Sequence, residues 1–210
     1  MSPTVPKNKN KHQIRTEETQ AKILDAAEAA FSERGFENTQ LEDIAARAGY
    51  TRGAIYAHYV SKEDLFLALM DQRVLAKLGA MRAALEAESD ISKRPRIFHR
   101  WLTTQAGDQA WGTLMLEFKL YAMRRPESRD RLMRTYDQMT ESFGSDFIDL
   151  LFGPDLDKAA RAAAERRLAI LGAIISAVNL ESHFRPKLLR KQQLQIVLDE
   201  LFVALISSVV

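Results

Sequence analysis

Apolar residues recur along most of this chain at intervals of three and four, the spacing that lines one face of an α-helix. Ile23, Leu24, Ala27, Ala30 and Phe31 make the first such stripe. Thr16-Glu17-Glu18-Thr19 stands before it, with a hydroxyl able to cap and two acids suited to the positive end of a helix dipole. A helix is therefore predicted from residue 16, ending at Gly35 as its left-handed cap. Leu41, Ile44, Ala45 and Ala48 form a second stripe. Thr39-Gln40-Leu41-Glu42 reads as its capping box, Thr39 accepting from the amide of Glu42 and Glu42 reaching back. Gly49 stops that helix after about two turns, and Thr51 caps a third that reaches His58. Ser61-Lys62-Glu63-Asp64 opens a fourth, which carries Leu65, Phe66, Leu69, Val74, Leu78, Met81 and Leu85 to Ser89. Further helices are predicted at roughly 94–106, 109–124, 126–152, 157–184 and 187–207, with prolines at or just before four of their starts. Gly144 falls inside one of them as a kink or division. No stretch keeps the strict alternation of a strand. The fold class is all-α, with about nine helices.

Composition narrows the function classes. The chain has 210 residues, 46% apolar and 28% charged, which suits a globular protein able to bury its own core. The absence of cysteine excludes disulfides, thiolate nucleophiles and thiolate metal sites. No apolar run reaches the roughly 18–20 residues needed to span a bilayer, and the first fifteen residues lack a signal-peptide apolar core. A cytoplasmic protein with no membrane partner is expected. The four histidines show no His-Glu-x-x-His spacing, and neither a glycine-rich phosphate loop nor a Gly-x-Ser-x-Gly turn occurs. Neither an enzyme nor a cofactor or metal site is expected.

Lys plus Arg number 30 and Asp plus Glu 28, a net charge of +2 that argues against a uniformly basic coat. Local charge reads differently. Residues 1–15 hold Lys7, Lys9, Lys11 and Arg15 with no acid. They read as a flexible basic arm, either lying along DNA or serving as a solubilising tail. Tyr50 to Lys62 is also free of acids. Arg124, Arg125, Arg129, Arg131 and Arg134 are interrupted by Glu127 and Asp130 and read as a solvated helix face.

The informative segment is Gln40–Tyr59. Two short helices flank Ala48-Gly49-Tyr50, the outline of a helix-turn-helix. Small alanines at 45, 46 and 48 let the helices approach, Gly49 accepts positive φ, and Ile44 and Ile55 pack between them. The second helix is the candidate reader of a major groove. Arg52 suits guanine, and Ala54 or Ala57 suits a thymine methyl. Thr51, Tyr56 and His58 can donate to phosphates, Gly53 leaves room for close approach, and Lys62 at the next helix start suits a phosphate. The expected DNA-contact set is Thr39, Gln40, Tyr50, Thr51, Arg52, Gly53, Ala54, Tyr56, His58 and Lys62.

Gly35-Phe36, Thr39, Ile44-Ala45, Ala48-Gly49, Thr51-Arg52-Gly53-Ala54-Ile55-Tyr56, His58-Tyr59 and Lys62-Glu63-Asp64-Leu65 together resemble the TetR/AcrR family of bacterial repressors. The resemblance covers residues 16–70. Tyr50 stands where that family usually has Val, and Tyr59 where it usually has Phe. The resemblance implies a DNA-binding domain over 16–70 and a ligand-binding and dimerisation domain over 71–210. It also implies a homodimer formed through the last two helices and a small-molecule effector that alters the separation of two reading helices. A symmetric dimer needs half-sites about one helical turn apart or a multiple of it, ~34–36 Å. The expected function is a ligand-responsive regulator, a repressor on an inverted-repeat operator. The competing reading is a helical partner-binding protein whose helix-turn-helix is structural only.

Segment 157–184 is apolar around most of its circumference and 187–207 is similarly rich. The pair reads as a dimer interface or as a core pair in a monomer. An aromatic and methionine cluster supplies candidate walls for an apolar or amphipathic effector: Phe98, Trp101, Trp111, Met115, Phe118, Tyr121, Met123, Tyr136, Met139 and Phe143. Asn179, His99, Glu117 and His183 are candidate polar anchors. The alternative for each of these residues is ordinary core or surface.

Overall fold

The computed structural model describes residues 10–126, 129–130, 133–134, 145–185, 187 and 191–206. The regular elements among them are helical: α1 Lys11–Asn38, α2 Leu41–Ala48, α3 Arg52–Tyr56, α4 Lys62–Glu86, a 3-10 turn Ile91–Lys93, α5 Arg94–Ala106, α6 Gln109–Arg124, α7 Ser145–Phe152, α8 Lys158–Phe184 and α9 Lys191–Ile206. The chain divides into two compact units, Met1–Met70 and Asp71–Val210.

In the first unit the apolar stripes of α1, α2 and α3 meet the start of α4. Ile23, Ala27, Phe31, Ile44, Ile55 and Leu65 are fully or almost fully buried. Phe66 anchors this core, edge-on to Phe31 at 5.0 Å and tilted on Phe36 at 4.9 Å. Such ring pairs add stabilisation beyond the area they bury.

Three sequence expectations change here. First, α1 begins at Lys11, not Thr16. Asn10 and Gln13 form a reciprocal capping box, Gln13 N donating to Asn10 Oδ1 at 2.8 Å and Asn10 N to Gln13 Oε1 at 2.9 Å. Two amides do what a hydroxyl and a carboxylate usually do, so the expected arm is helical from residue 11 on; Lys7 and Lys9 lie outside the described residues. Second, Gly35 does not end α1 but breaks it, at φ 75° and ψ 165°. Third, Thr39 does not cap α2 but is the C-cap of α1. It is buried, and its hydroxyl donates to Gly35 O at 2.7 Å and lies 3.2 Å from Ala30 O. The break at Gly35 leaves acceptors that the turns around it do not fill, and the buried hydroxyl supplies a donor. Gln40 takes the N-cap position of α2 with no side-chain bond. The start of α4 is capped as expected, Asp64 N donating to Ser61 Oγ at 3.0 Å.

In the second unit, α5 packs on α8, α9 and α7, and α6 packs on α8. Phe98 sits near the centre, stacked on Trp101 at 6.0 Å and edge-on to Phe147 at 5.5 Å. Arg94 ties α5 to α7 by donating to Leu150 O at 2.9 Å. Of the helix predicted over 126–152, α7 is its last part; residues 135–144, with Gly144, lie outside the described residues. No helix among the described residues is long and apolar enough to cross a membrane.

Candidate nucleic-acid interface and ligand cleft

The turn between α2 and α3 is built from two local devices. Gly49 adopts the left-handed conformation, φ 75° and ψ 28°, and its N–H donates to Ala46 O at 3.2 Å. Tyr50 N donates to Ala45 O at 2.9 Å, so the orphan carbonyls of α2 are satisfied within one turn. Thr51 then caps α3, its hydroxyl accepting from Ala54 N at 3.3 Å. α3 buries Ile55 and turns Arg52, Gly53 and Tyr56 outward, with Thr51 and Ala57 exposed beside them. Ala54 and His58 are half-exposed. Tyr59 is buried, and burial pushes its phenol pKa up, so it packs as an apolar ring. Tyr50 is half-buried, its hydroxyl 3.4 Å from Thr19 Oγ1 on α1.

The two cations on this face are both engaged. The Arg52 guanidinium forms an ion pair with Glu42 of α2, donates to Tyr56 Oη at 3.0 Å and lies over the Tyr56 ring at 5.2 Å. The Tyr56 hydroxyl, then the Glu42 charge, hold Arg52 above its usual pKa. The stretch from Tyr50 to Lys62 lacks acids in sequence, but folding brings one to it. Lys62 Nζ donates to three backbone carbonyls, Phe36 O at 2.7 Å, Thr39 O at 2.9 Å and Glu37 O at 3.1 Å. It also lies 4.6 Å from the Phe36 ring centroid. Its ammonium fastens the end of α1, after the break at Gly35, and Thr39 to the start of α4. Of the expected DNA contacts, Lys62 is half-exposed and engaged with carbonyls, and Thr39 is buried. Gln40 is exposed.

In the second unit, a partly open cleft of about 270 Å³ lies between α6 and α8. Trp111, Met115 and Leu116 line one side and Ala173, Ala177 and Leu180 the other. At its end Asn179 is buried, and its Nδ2 donates to Ala106 O and Asp108 O at 3.0 Å each and to Gln105 O at 3.3 Å. Asn179 thus holds the α5–α6 turn against α8. A Cβ on Gly112 would collide with the Asn179 side chain, so glycine is needed there for close approach. Asp108 caps α6 and accepts from Lys77 Nζ at 2.6 Å, and Lys77 also lies over the Trp111 ring at 5.4 Å. Burial pushes the Asp108 carboxyl up, but the Lys77 hydrogen bond, the Trp111 amide and the charges of Lys77 and Arg73 together hold it below its usual range.

Of the expected wall residues, Trp111, Met115 and Asn179 line this cleft. Phe98, Trp101, Phe118 and Tyr121 do not. Phe98, Phe118 and Tyr121 are core, and Trp101 is stacked on Phe98. Tyr136, Met139 and Phe143 lie outside the described residues. Among the suggested anchors, His99 sits 2.9 Å from Asp199, His183 Nδ1 lies 2.8 Å from Asn179 O, and Glu117 does not line the cleft.

Residues 23–69 match the family model for bacterial regulatory proteins of the tetR family. Over 55 residues the chain is 54% identical to the HTH-type transcriptional regulator TtgR of Pseudomonas putida. Residues 23–69 thus carry a TetR-family regulatory domain. The TtgR match covers 26% of this chain and 26% of TtgR, so the chain matches about a quarter of that relative's length. An uncharacterised HTH-type regulator of Bacillus subtilis, YfiR, is 29% identical over 145 residues, 68% of this chain and 67% of YfiR. A solved structure of a TetR-family regulator from Mesorhizobium loti overlays with a TM-score of 0.71 at 21% identity, covering 92% of this chain and 98% of the other. That likeness extends the TetR fold to the second unit. Both relatives are HTH-type transcriptional regulators.

Among the site residues that escaped the sequence reading are Glu42, Leu116 and Lys119, with Gly112, Ala173, Ala177 and Leu180 of the cleft. Glu42 sits ten positions before Arg52, and nothing local marks it as a partner. Leu116 and Lys119 lie on the predicted 109–124 helix, but they are neither aromatic nor sulfur-bearing, the features used to find walls.

Proposed function

We propose that this chain is a DNA-binding transcriptional regulator of the cytoplasm, a repressor that sits on an inverted repeat as a homodimer and is released by a small amphipathic effector. The observation that carries the reading is the outward face of α3. A five-residue helix is fixed by Gly49 and Thr51, buries one residue and offers Arg52, Gly53 and Tyr56 to a partner. Lys11, Arg15 and Lys22 lie exposed on α1 and support phosphate contact. The dimer reading is supported by apolar side chains left exposed on α8 and α9: Ile170, Phe184, Ile196 and Val203. Such a patch suits a second copy better than water. The cleft between α6 and α8 supports the effector reading.

One observation favours the competing reading, a helix-turn-helix kept for structure and a helical surface for partner proteins. Glu42 neutralises Arg52, the only charged residue of α3. Selection from a randomised duplex pool separates the two. An inverted repeat should emerge, and Arg52→Ala should lose about tenfold to a hundredfold at a single base position in each half-site. A pool that returns no preference, with Arg52→Ala binding like the parent, would establish the partner-binding reading instead.

A further inference from the structure

The cleft between α6 and α8 carries information about the charge of its occupant. The inference rests on the effector reading above and adds the effector's chemistry. Lys119 is the single charged side chain among the described residues that line the cleft, and no acid lines it with them. It is half-buried, one turn along α6 from Met115 and Leu116. Among the described residues none pairs with it. The other polar side chains that line the cleft are committed elsewhere. Gln105 Oε1 accepts from Lys77 Nζ at 2.6 Å, Asn179 Nδ2 donates to three carbonyls, and Ser176 Oγ donates to Gly172 O at 3.0 Å.

An ammonium drawn from water without a counter-charge is unfavourable. Burial alone moves Lys119 below the usual lysine range, with no opposing charge to restore it. We propose that the cleft takes an amphipathic anion, with a carboxylate or similar head group on Lys119 Nζ and an apolar body along Trp111, Leu116, Ala177 and Leu180. A neutral ligand leaves the ammonium as it stands, and a cationic one adds repulsion. An anion in the same low-dielectric surroundings gains a charge-assisted hydrogen bond. The volume, near 270 Å³, is at the small end for ligand sites, so the matching body is short.

Calorimetric titration of the intact chain with octanoate, octanol and octyltrimethylammonium tests this. Octanoate should bind about tenfold more tightly than octanol, with the cation weakest. Lys119→Met should bring octanoate down to the level of octanol while octanol itself is unchanged, which also reports an intact cleft. Lys119→Arg should keep the preference. Equal binding of octanoate and octanol, or a preference that survives Lys119→Met, overturns the anion assignment and leaves the cleft reading standing. Leu180→Trp, which fills the cleft, should weaken all three. If octanoate and octanol bind that variant as they bind the parent, the cleft is not the site and the effector reading falls as well. Octanoate affinity that falls as protein concentration rises would place a second copy of the chain in the cleft and overturn the proposal.

Discussion

Lys62 shows how one residue type can serve two different tasks. On sequence it stands at a helix start, where an ammonium meets phosphates. In the fold it donates to three carbonyls of residues 36, 37 and 39 and covers the Phe36 ring. Those carbonyls belong to the segment between the break at Gly35 and the start of α2, where no regular ladder satisfies them. Lys62→Met keeps most of the stem and removes the donors. It should destabilise the chain by about 1–3 kcal/mol, the scale of hydrogen bonds to a charged group, as read by urea denaturation. The slope of log Kd against log salt should stay at the parental value. A slope reduced by about one per half-site with unchanged stability would return Lys62 to a phosphate. Arg52 differs, because its partner Glu42 is half-exposed and the pair is open to exchange with an incoming acceptor.

The α2–turn–α3 element rests on two glycines with opposite requirements. At Gly49 a Cβ would meet nothing within 4 Å, so space is not the constraint; φ of +75° is. Gly49→Ala should cost about 1–2 kcal/mol through backbone strain. At Gly53 φ is helical and a Cβ would meet only Thr51 Oγ1 at an ordinary 3.8 Å. Gly53→Ala should stabilise the short helix by about 0.5–1 kcal/mol and yet weaken duplex binding, since the new methyl faces outward. Thermal melts and fluorescence anisotropy on a labelled operator check the two together. A Gly53→Ala variant that binds duplex as well as the parent would remove Gly53 from the interface. The two glycines look alike in sequence, and only the backbone angles separate their roles.

For the whole molecule, the apolar surface of α8 and α9 is the feature that calls for a partner. Phe184 is 79% exposed and Val203 58%, values that a monomer's core helices would not show. Phe184→Glu combined with Val203→Glu should convert a dimer into a monomer in sedimentation equilibrium. Duplex affinity should fall by about a hundredfold or more as the second half-site no longer adds avidity. A parent chain that sediments as a monomer at micromolar concentration would refute the dimer.

The sequence by itself determined the helices and the helix-turn-helix. Stripes such as Leu41, Ile44 and Ala45, the stop at Gly49 and the cap at Thr51 act within one or two turns, so their physics is local and legible in order. It misled where a cap could be made by unfamiliar side chains, as Asn10 and Gln13 do, or where a hydroxyl turned inward, as Thr39 does. Tertiary structure alone decided the polar partners. Lys62 meets carbonyls more than twenty residues away, Arg52 meets an acid from the preceding helix, and Lys119 meets none among the described residues. A buried or half-buried polar group takes whatever partner packing brings within reach, and its neighbours in sequence do not specify that partner.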